Sequence, residues 1–379
     1  MQEVVLIEEI NAGDKVIGVA TLNSEKSLNA LSLAMAEKLL PQLQQWANDE
    51  RVVCVWLQGA GEKAFCAGGD IVAMYKAMQA EPGKLVSEVE NFFTQEYQLD
   101  YAIQTFPKPL ICWADGIVMG GGMGLMNGAS HRIVTDRSLL AMPEVSIGLY
   151  PDVGATHFLN RMPAGCGLFL GMTGAPMNAN DALFLKLADH YLGHQHKTAV
   201  MDKLQQLTWG DTGALNKEKV TDLLNQMAAD DLTDMPTPQV EPMHPHIQAL
   251  TAGNEVSEVV QAILADELDD AWLSRARRNL QKGCPMTAHI VWNQLQQGAG
   301  LSLADCFRLE LTLSCNCAVR GDFAEGIRAL LIDKDKEPRW QHSSVSDITA
   351  AEVDAFFLPP WGERKHPLAD IETVLSNQS

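Results

Sequence analysis

The sequence predicts an α/β fold whose later part is mainly helical, and two observations carry this. An apolar strand, a glycine-rich turn and a helical periodicity follow one another twice, from Val52 and again from Leu110. Beyond a proline-rich stretch near residue 240, only helical spacing recurs. The expected division is therefore residues 1–240 as the α/β core and 241–379 as a helical region that completes and covers it.

Val4 to Ile10 and Lys15 to Asn23 read as strands, and Asn11-Ala12-Gly13-Asp14 between them is turn chemistry, so a hairpin opens the chain. Leu33, Ala36, Leu40, Leu43 and Ala47 have helical spacing, although Pro41 argues against an unbroken helix. Val52 to Leu57 is a short buried strand closed by Gly59-Ala60-Gly61. Ala67-Gly68-Gly69-Asp70 leads into helical spacing at Ile71, Met74, Tyr75 and Met78. Leu110 to Ala114 is the next strand, leading through Met119-Gly120-Gly121-Gly122 into another helical stretch. Ile133 to Thr135 is a third, followed by acidic loops at Met142-Pro143-Glu144 and Pro151-Asp152-Val153-Gly154. Pro236 to His246 holds four prolines and reads as a stiff connector. Val256 to Leu264, Ala271 to Leu280 and Ala288 to Leu295 read as helices.

Composition narrows the function. A formal net charge of −20 disfavours nucleic acid and anionic membranes as partners. No apolar run reaches the roughly 18 residues of a membrane span. The first ten residues carry Glu3, Glu8 and Glu9 with no basic start, unlike an export signal. The eight cysteines form no CxxC pair, so reduced thiols in a cytoplasmic setting are expected.

The glycine turns and the acids after them are the candidate chemistry. Glycine at a strand-to-helix turn lets a ligand approach backbone N–H groups, and two such groups from separate turns can form an oxyanion hole. Each turn taken singly also reads as close helix packing. Asp152 reads equally as a helix cap or a desolvated acid, whereas Glu144 is harder to explain as a cap. There is no GxSxG elbow, no phosphate loop and no GxGxxG. His190, His194 and His196 have a spacing interrupted by Gly193, and no metal site is expected. Asp333 to Glu337 reads as a solvated charged turn.

Taken together, AFCAGGD (Ala64 to Asp70), DGIVMGGGMGL (Asp115 to Leu125), MPEVSIGLYPDVG (Met142 to Gly154) and SLNALS (Ser27 to Ser32) resemble the crotonase, or enoyl-CoA hydratase/isomerase, superfamily. FFTQEY (Phe92 to Tyr97), the PDVG segment, CPMTAHIVWNQLQQG (Cys284 to Gly298) and DFAEGIRALLIDKDKEPRW (Asp322 to Trp340) are similar to its 3-hydroxyisobutyryl-CoA hydrolase branch. The resemblance implies a crotonase-type spiral of ββα units and a helical carboxy-terminal region over the acyl pocket. It implies Gly69 and Gly121 as oxyanion donors, Glu144 as the catalytic carboxylate, and Asp152 as its acidic companion. Glu96 is implied as a substrate contact, with Lys26, Ala30, Ala64, Gly68 and Asp70 along the acyl-CoA path. Lys26 or Lys63 would meet the anionic end of CoA.

Hydratases of the superfamily place a second catalytic Glu two residues after the glycine triplet, and here that position is Gly124. The expected reaction is therefore hydrolysis of a short 3-hydroxyacyl-CoA thioester such as 3-hydroxyisobutyryl-CoA. CoA enters as part of the substrate and no separate cofactor is implied. The alternatives are another crotonase reaction, such as hydration or isomerisation, or a non-enzymatic scaffold. The superfamily commonly forms trimers and hexamers, which the resemblance extends to this chain as a homo-oligomer.

Overall fold

The computed structural model describes residues 3–231 and 233–376. The chain opens with the antiparallel hairpin β1 (Val5–Ala12) and β2 (Lys15–Leu22). The turn is tighter than the sequence predicts, because Ala12 still pairs with Lys15. Helix α1 (Leu33–Asn48) starts at Ser32, whose hydroxyl accepts from Met35 N, and runs unbroken through Pro41. Packing keeps the helix continuous despite Pro41. Pro41 is exposed, while Leu39, Leu40, Leu43 and Trp46 are buried on both sides of it.

Three ββ units then follow. β3 (Val52–Gly59) and β4 (Ala64–Cys66) lead to α2 (Ile71–Ala80) and α3 (Ser87–Gln104). β5 (Leu110–Ala114) and β6 (Ile117–Met119) lead to α4 (Gly121–Gly128). β7 (His131–Val134) and β8 (Leu139–Ala141) lead to a single 3-10 turn, Glu144–Ile147. The first strand of each unit joins a sheet of order β1-β2-β3-β5-β7-β9, with β9 at His190–Tyr191. The second strand joins a smaller parallel sheet of order β4-β6-β8. This is the expected α/β spiral of ββα units.

The small sheet determines where function can sit. Its strands lie side by side and run the same way, with Cys66 beside Val118 and Met119 beside Ala141. Their carboxy-terminal ends therefore reach one edge together. There β4 delivers Gly68-Gly69, β6 delivers Gly120-Gly121, and β8 delivers Glu144.

The segment Pro236 to His246 is not a connector throughout, because Val240–Leu250 is a helix that contains Pro245. Buried Asp181 fixes its start, its Oδ1 accepting from Gln239 N at 2.7 Å and Val240 N at 2.8 Å. Val240, Ile247 and Leu250 are buried while Pro242 and Pro245 are exposed, so the apolar face prevails over the proline penalty. Helices Val256–Ala265, Ala271–Lys282 and Pro285–Gly298 cover the three segments with helical spacing. One buried cluster joins Leu31, Phe93 and Met123 to Ile290, Phe307 and Leu311, so a common core spans residue 240. Among the described residues, no helix is long and apolar enough to cross a membrane.

Candidate active site

The edge of the small sheet opens into a cavity of about 540 Å³. Gly69 and Gly121 meet there. A methyl built on Gly121 would lie 3.5 Å from Gly69 N, so the two turns are in contact. Among the described residues, neither amide donates a hydrogen bond. Gly121 is the first residue of α4, where the helix leaves its N–H groups free. The turns need glycine for shape as well as access, since Gly68 has φ +115 and Gly120 has φ +48 with ψ −122.

Glu144 faces these turns from the end of β8. A methyl built on Gly120 would lie 3.2 Å from its Oε1, while among the described residues its Oε2 has no hydrogen-bond partner. Glu96 approaches from α3, its Oε1 being 2.5 Å from a methyl built on Gly121. Asp152 completes the wall. Its Oδ2 accepts the Tyr97 hydroxyl at 2.6 Å, and its side chain caps no helix. The helix-cap reading of Asp152 therefore fails, because Gly154 holds the N-cap position of the helix that follows. Glu310, from the helix Leu303–Arg320, satisfies that start by accepting from Gly154 N at 2.7 Å and Thr156 N at 2.8 Å. Thr287 and Gln294 hold the same loop by donating to the carbonyls of Leu149 and Pro151. The helical region thus fixes the acid-bearing loop.

The electrostatics are one-sided. Glu96, Asp100, Glu144, Asp152 and Glu310 are each no more than 4% exposed, and among the described residues no lysine or arginine is buried. Burial, then the Asp152 charge, raises the Glu144 carboxyl well above the usual carboxylate range. Burial raises Glu96 likewise, with Asp152 and Glu144 adding to it. Burial pushes Asp152 up to about 6 against the Tyr97 hydrogen bond, and Glu310 up to about 8 against its two N–H donors. Acids this close share protons rather than all ionising.

Asp100 lies one turn of α3 beyond Glu96, and among the described residues neither of its carboxyl oxygens has a partner. Burial, then the charges of Glu96, Asp152 and Glu310, raises it well above its ordinary value. A raised folded pKa means that the folded chain keeps a proton the unfolded chain has released. Stability from such a group is complete below the unfolded pKa, falls as pH rises, and levels off above the folded pKa. Asp100→Asn removes the titration. It is expected to raise stability at about pH 8 by about 1–3 kcal/mol, with the gain shrinking toward about pH 5. Thermal melts across that range check this, and a gain independent of pH would contradict it.

Of the other residues named from sequence, Ala30, Gly68 and Asp70 line the cavity. The Asp70 carboxylate also caps α2, accepting from Ala73 N. Lys26 and Ala64 do not line it. Lys26 is exposed, beside the lining residues Ser24 and Ser27, and Lys63 is exposed elsewhere. Ala64 is buried in β4, with its carbonyl accepting from Asn29 Nδ2. His194 pairs with Asp136 and His196 with Asp231, while His190 stacks on His131. Asp333 and Asp335 in the charged turn both hold Arg328. Sequence reasoning missed Asp100, Tyr97, Ser314 and Glu310, along with Leu330 and Leu331 at the cavity wall. Helical spacing alone would have placed Asp100 one turn from Glu96. The contacts from the helix Leu303–Arg320 leave no local signal.

The family model for enoyl-CoA hydratase/isomerase matches residues 17–357. The chain is 36% identical to the mitochondrial 3-hydroxyisobutyryl-CoA hydrolase of Gallus gallus, over 90% of this chain and 86% of that protein. It is 37% identical to the protein of the same name from Danio rerio, with the same coverage of 90% and 86%. Among solved structures, an enoyl-CoA hydratase from Rhodobacter sphaeroides superposes with a TM-score of 0.80 and 31% identity, covering 94% of this chain and 97% of its own. A carnitinyl-CoA dehydratase from Mycobacterium thermoresistibile gives 0.81 and 33%, again over 94% and 97%. The chain belongs to the enoyl-CoA hydratase/isomerase family.

Proposed function

We propose that this protein hydrolyses short 3-hydroxyacyl-CoA thioesters, with 3-hydroxyisobutyryl-CoA, an intermediate of valine breakdown, as its substrate. The observation that carries this reading is the closure of the second hydratase acid position. A methyl built on Gly124 would lie 2.6 Å from both Asp100 Oδ2 and Val153 Cβ. No glutamate fits there, so the paired acids that add water across a double bond are missing. What remains is Glu144 over two free amides.

The thioester oxygen binds between the N–H groups of Gly69 and Gly121, which stabilise the charge that develops on it. Glu144 adds to the carbonyl carbon, giving a mixed anhydride that water opens. Among the described residues its Oε2 accepts from no donor, which leaves it unblunted as a nucleophile. Glu144 holds a proton more strongly than Asp152, so the reactive form is the one in which their shared proton has moved to Asp152, which removes the neighbouring charge that disfavours an ionised Glu144. The same proton goes to the departing thiolate. The 3-hydroxyl donates to Glu96 or Asp152, both on the cavity wall. An acyl group lacking that hydroxyl leaves a buried acceptor unpaired. Lys26, at the mouth beside Ser24 and Ser27, is available to the phosphates of CoA. CoA is substrate, and no further cofactor enters the scheme. The eight buried free thiols suit a reducing, cytoplasm-like compartment.

The test is thiol release from a panel of short acyl-CoAs, run beside hydration of crotonyl-CoA. Release from 3-hydroxyisobutyryl-CoA is expected, at least about tenfold slower release from isobutyryl-CoA, and no hydration. Hydration without thiol release would overturn the reading.

A further inference from the structure

We propose that Tyr97, Ser314 and Tyr150 form a reversible row of hydroxyls that keeps Asp152 hydrogen-bonded both with and without its proton, making Asp152 the group that gives up and regains a proton in each turnover. This rests on the thioester-hydrolase reading for the identity of the proton acceptor, though the row itself is a matter of geometry.

The Tyr97 hydroxyl lies 2.6 Å from Asp152 Oδ2 and 2.6 Å from Ser314 Oγ. The Tyr150 hydroxyl lies 2.9 Å from Ser314 Oγ and 2.6 Å from the Glu310 carbonyl oxygen. Tyr97, Ser314 and Tyr150 are fully buried. That makes four contacts, Asp152–Tyr97, Tyr97–Ser314, Ser314–Tyr150 and Tyr150–Glu310 O, against three hydroxyl protons. Burial keeps both tyrosines well above their ordinary pKa, so each holds its proton.

Protonated Asp152 supplies the missing donor. Asp152 then donates to Tyr97, Tyr97 to Ser314, Ser314 to Tyr150 and Tyr150 to the Glu310 carbonyl, and every contact is filled. When Asp152 loses its proton the row turns round. Tyr150 donates to Ser314, Ser314 to Tyr97 and Tyr97 to the carboxylate. The contact given up is the one to Glu310 O, a mid-helix carbonyl whose other donor is the helix ladder. Each hydroxyl rotates about its own C–O bond, and no proton passes along the row. Both states of Asp152 are therefore solvated by the protein without movement of the backbone, which is what a group that titrates during turnover requires.

The balance over one cycle is closed. The Asp152 O–H swings from Tyr97 toward the leaving group and breaks as the C–S bond of the thioester breaks, its proton joining the electron pair left on sulfur while Tyr97 turns to donate to the new carboxylate. Water then opens the anhydride. One of its protons returns to Asp152, and the other leaves with the acid product, which ionises in solution. No oxidant or other reactant is needed.

Other titratable groups also face Asp152: Glu96, Tyr97 and Asp100 from α3, Glu144 and Tyr150 from the loop after β8, and Glu310 and Cys317 from the helix Leu303–Arg320. The test must therefore isolate Asp152. The full chain is labelled with ¹³Cγ aspartate, the Asp152 resonance is assigned by its loss in Asp152→Asn, and its midpoint is followed with pH in the wild type, Tyr97→Phe and Ser314→Ala.

Tyr97→Phe deprives the ionised form of its charge-assisted donor and is expected to raise the midpoint by about one pH unit or more. Ser314→Ala leaves Tyr97 able to donate only to Asp152, which favours the ionised form, and is expected to lower the midpoint by about half a unit or more. Should Ser314→Ala not fold, Tyr150→Phe breaks the next link and is expected to lower the midpoint less. The pH limb of thiol release that Asp152→Asn abolishes should move with the midpoint in each variant. Midpoints that shift in the same direction, or do not shift, overturn the row. Opposite shifts in a protein that releases no thiol would sustain the row and remove the hydrolase reading. Normal hydrolysis with unmoved midpoints would do the reverse.

Discussion

Glu144→Gln is expected to lower kcat by about a thousandfold or more while the fold holds or gains stability. Glutamine keeps the size and shape of the side chain but can neither attack a carbonyl nor take a proton from water. The oxyanion amides of Gly69 and Gly121 are untouched, so binding of the thioester should change little and the loss should fall on kcat. Stability moves the other way. Glu144 is buried, with Oε2 unpartnered among the described residues, and burial and Asp152 together hold its carboxyl in a costly state. A neutral amide relieves that cost, as removal of a strained active-site group commonly does. Steady-state thiol release and a thermal melt on the same preparation check both halves. Hydrolysis at the wild-type rate would remove Glu144 from the mechanism. Under direct addition, rapid quenching during turnover should capture an acyl group on Glu144, seen as an added mass on the peptide that carries it, whereas a general-base role leaves none there.

How much of this was legible in the sequence depends on the range of the interactions involved. The long strands of the larger sheet and the helices from Val256 onward follow local periodicity, and their positions were readable. The small sheet was not. Ala64–Cys66, Ile117–Met119 and Leu139–Ala141 are each three residues long, too short for alternation to register. Their pairing is between units rather than within them. Yet this sheet brings Gly69, Gly121 and Glu144 to one edge, so the element that builds the site was the one hidden from local reading. The two prolines inside helices are tolerated for the same reason. At Pro41 and Pro245 the local penalty is real, but buried neighbours on the opposite face outweigh it.

At the site, the turn glycines and the acids Glu96, Glu144 and Asp152 were readable as motifs. Their partners were not. Asp152 is held through Tyr97 by Ser314, and its loop is held by Glu310, Thr287 and Gln294. Tyr97 lies 55 positions before Asp152, while Ser314, Glu310, Thr287 and Gln294 lie more than a hundred positions beyond the loop, and no local periodicity announces these contacts. Gly124 shows the same division. Sequence reveals that an acid is missing there, and only the packing of Asp100 and Val153 explains why none could be accommodated.

Gly121→Val is expected to cut kcat/KM by about 10²–10³-fold, with a smaller loss of stability than a valine elsewhere in the glycine triplet would bring. The first methyl carbon at position 121 would lie 2.5 Å from Glu96 Oε1 and 3.5 Å from Gly69 N. It therefore occupies the space where the thioester oxygen must sit, although the Gly121 N–H itself survives. What it meets is the far end of a side chain beside an open cavity, so the fold has room to adjust. Gly122 has no such room, since a carbon there would run into the Cys66 backbone carbonyl. Comparing the two substitutions separates chemistry from folding. Valine at 121 should leave a melting protein that binds and turns over acyl-CoA poorly, and valine at 122 should chiefly impair folding. Gly121→Ala should fall between wild type and valine in activity, because one methyl crowds the oxygen less than a branched side chain does. Substantial turnover by Gly121→Val would mean that the carbonyl is polarised somewhere else, and with it the geometry that singles out Glu144 as the group in reach of the carbonyl carbon would be lost.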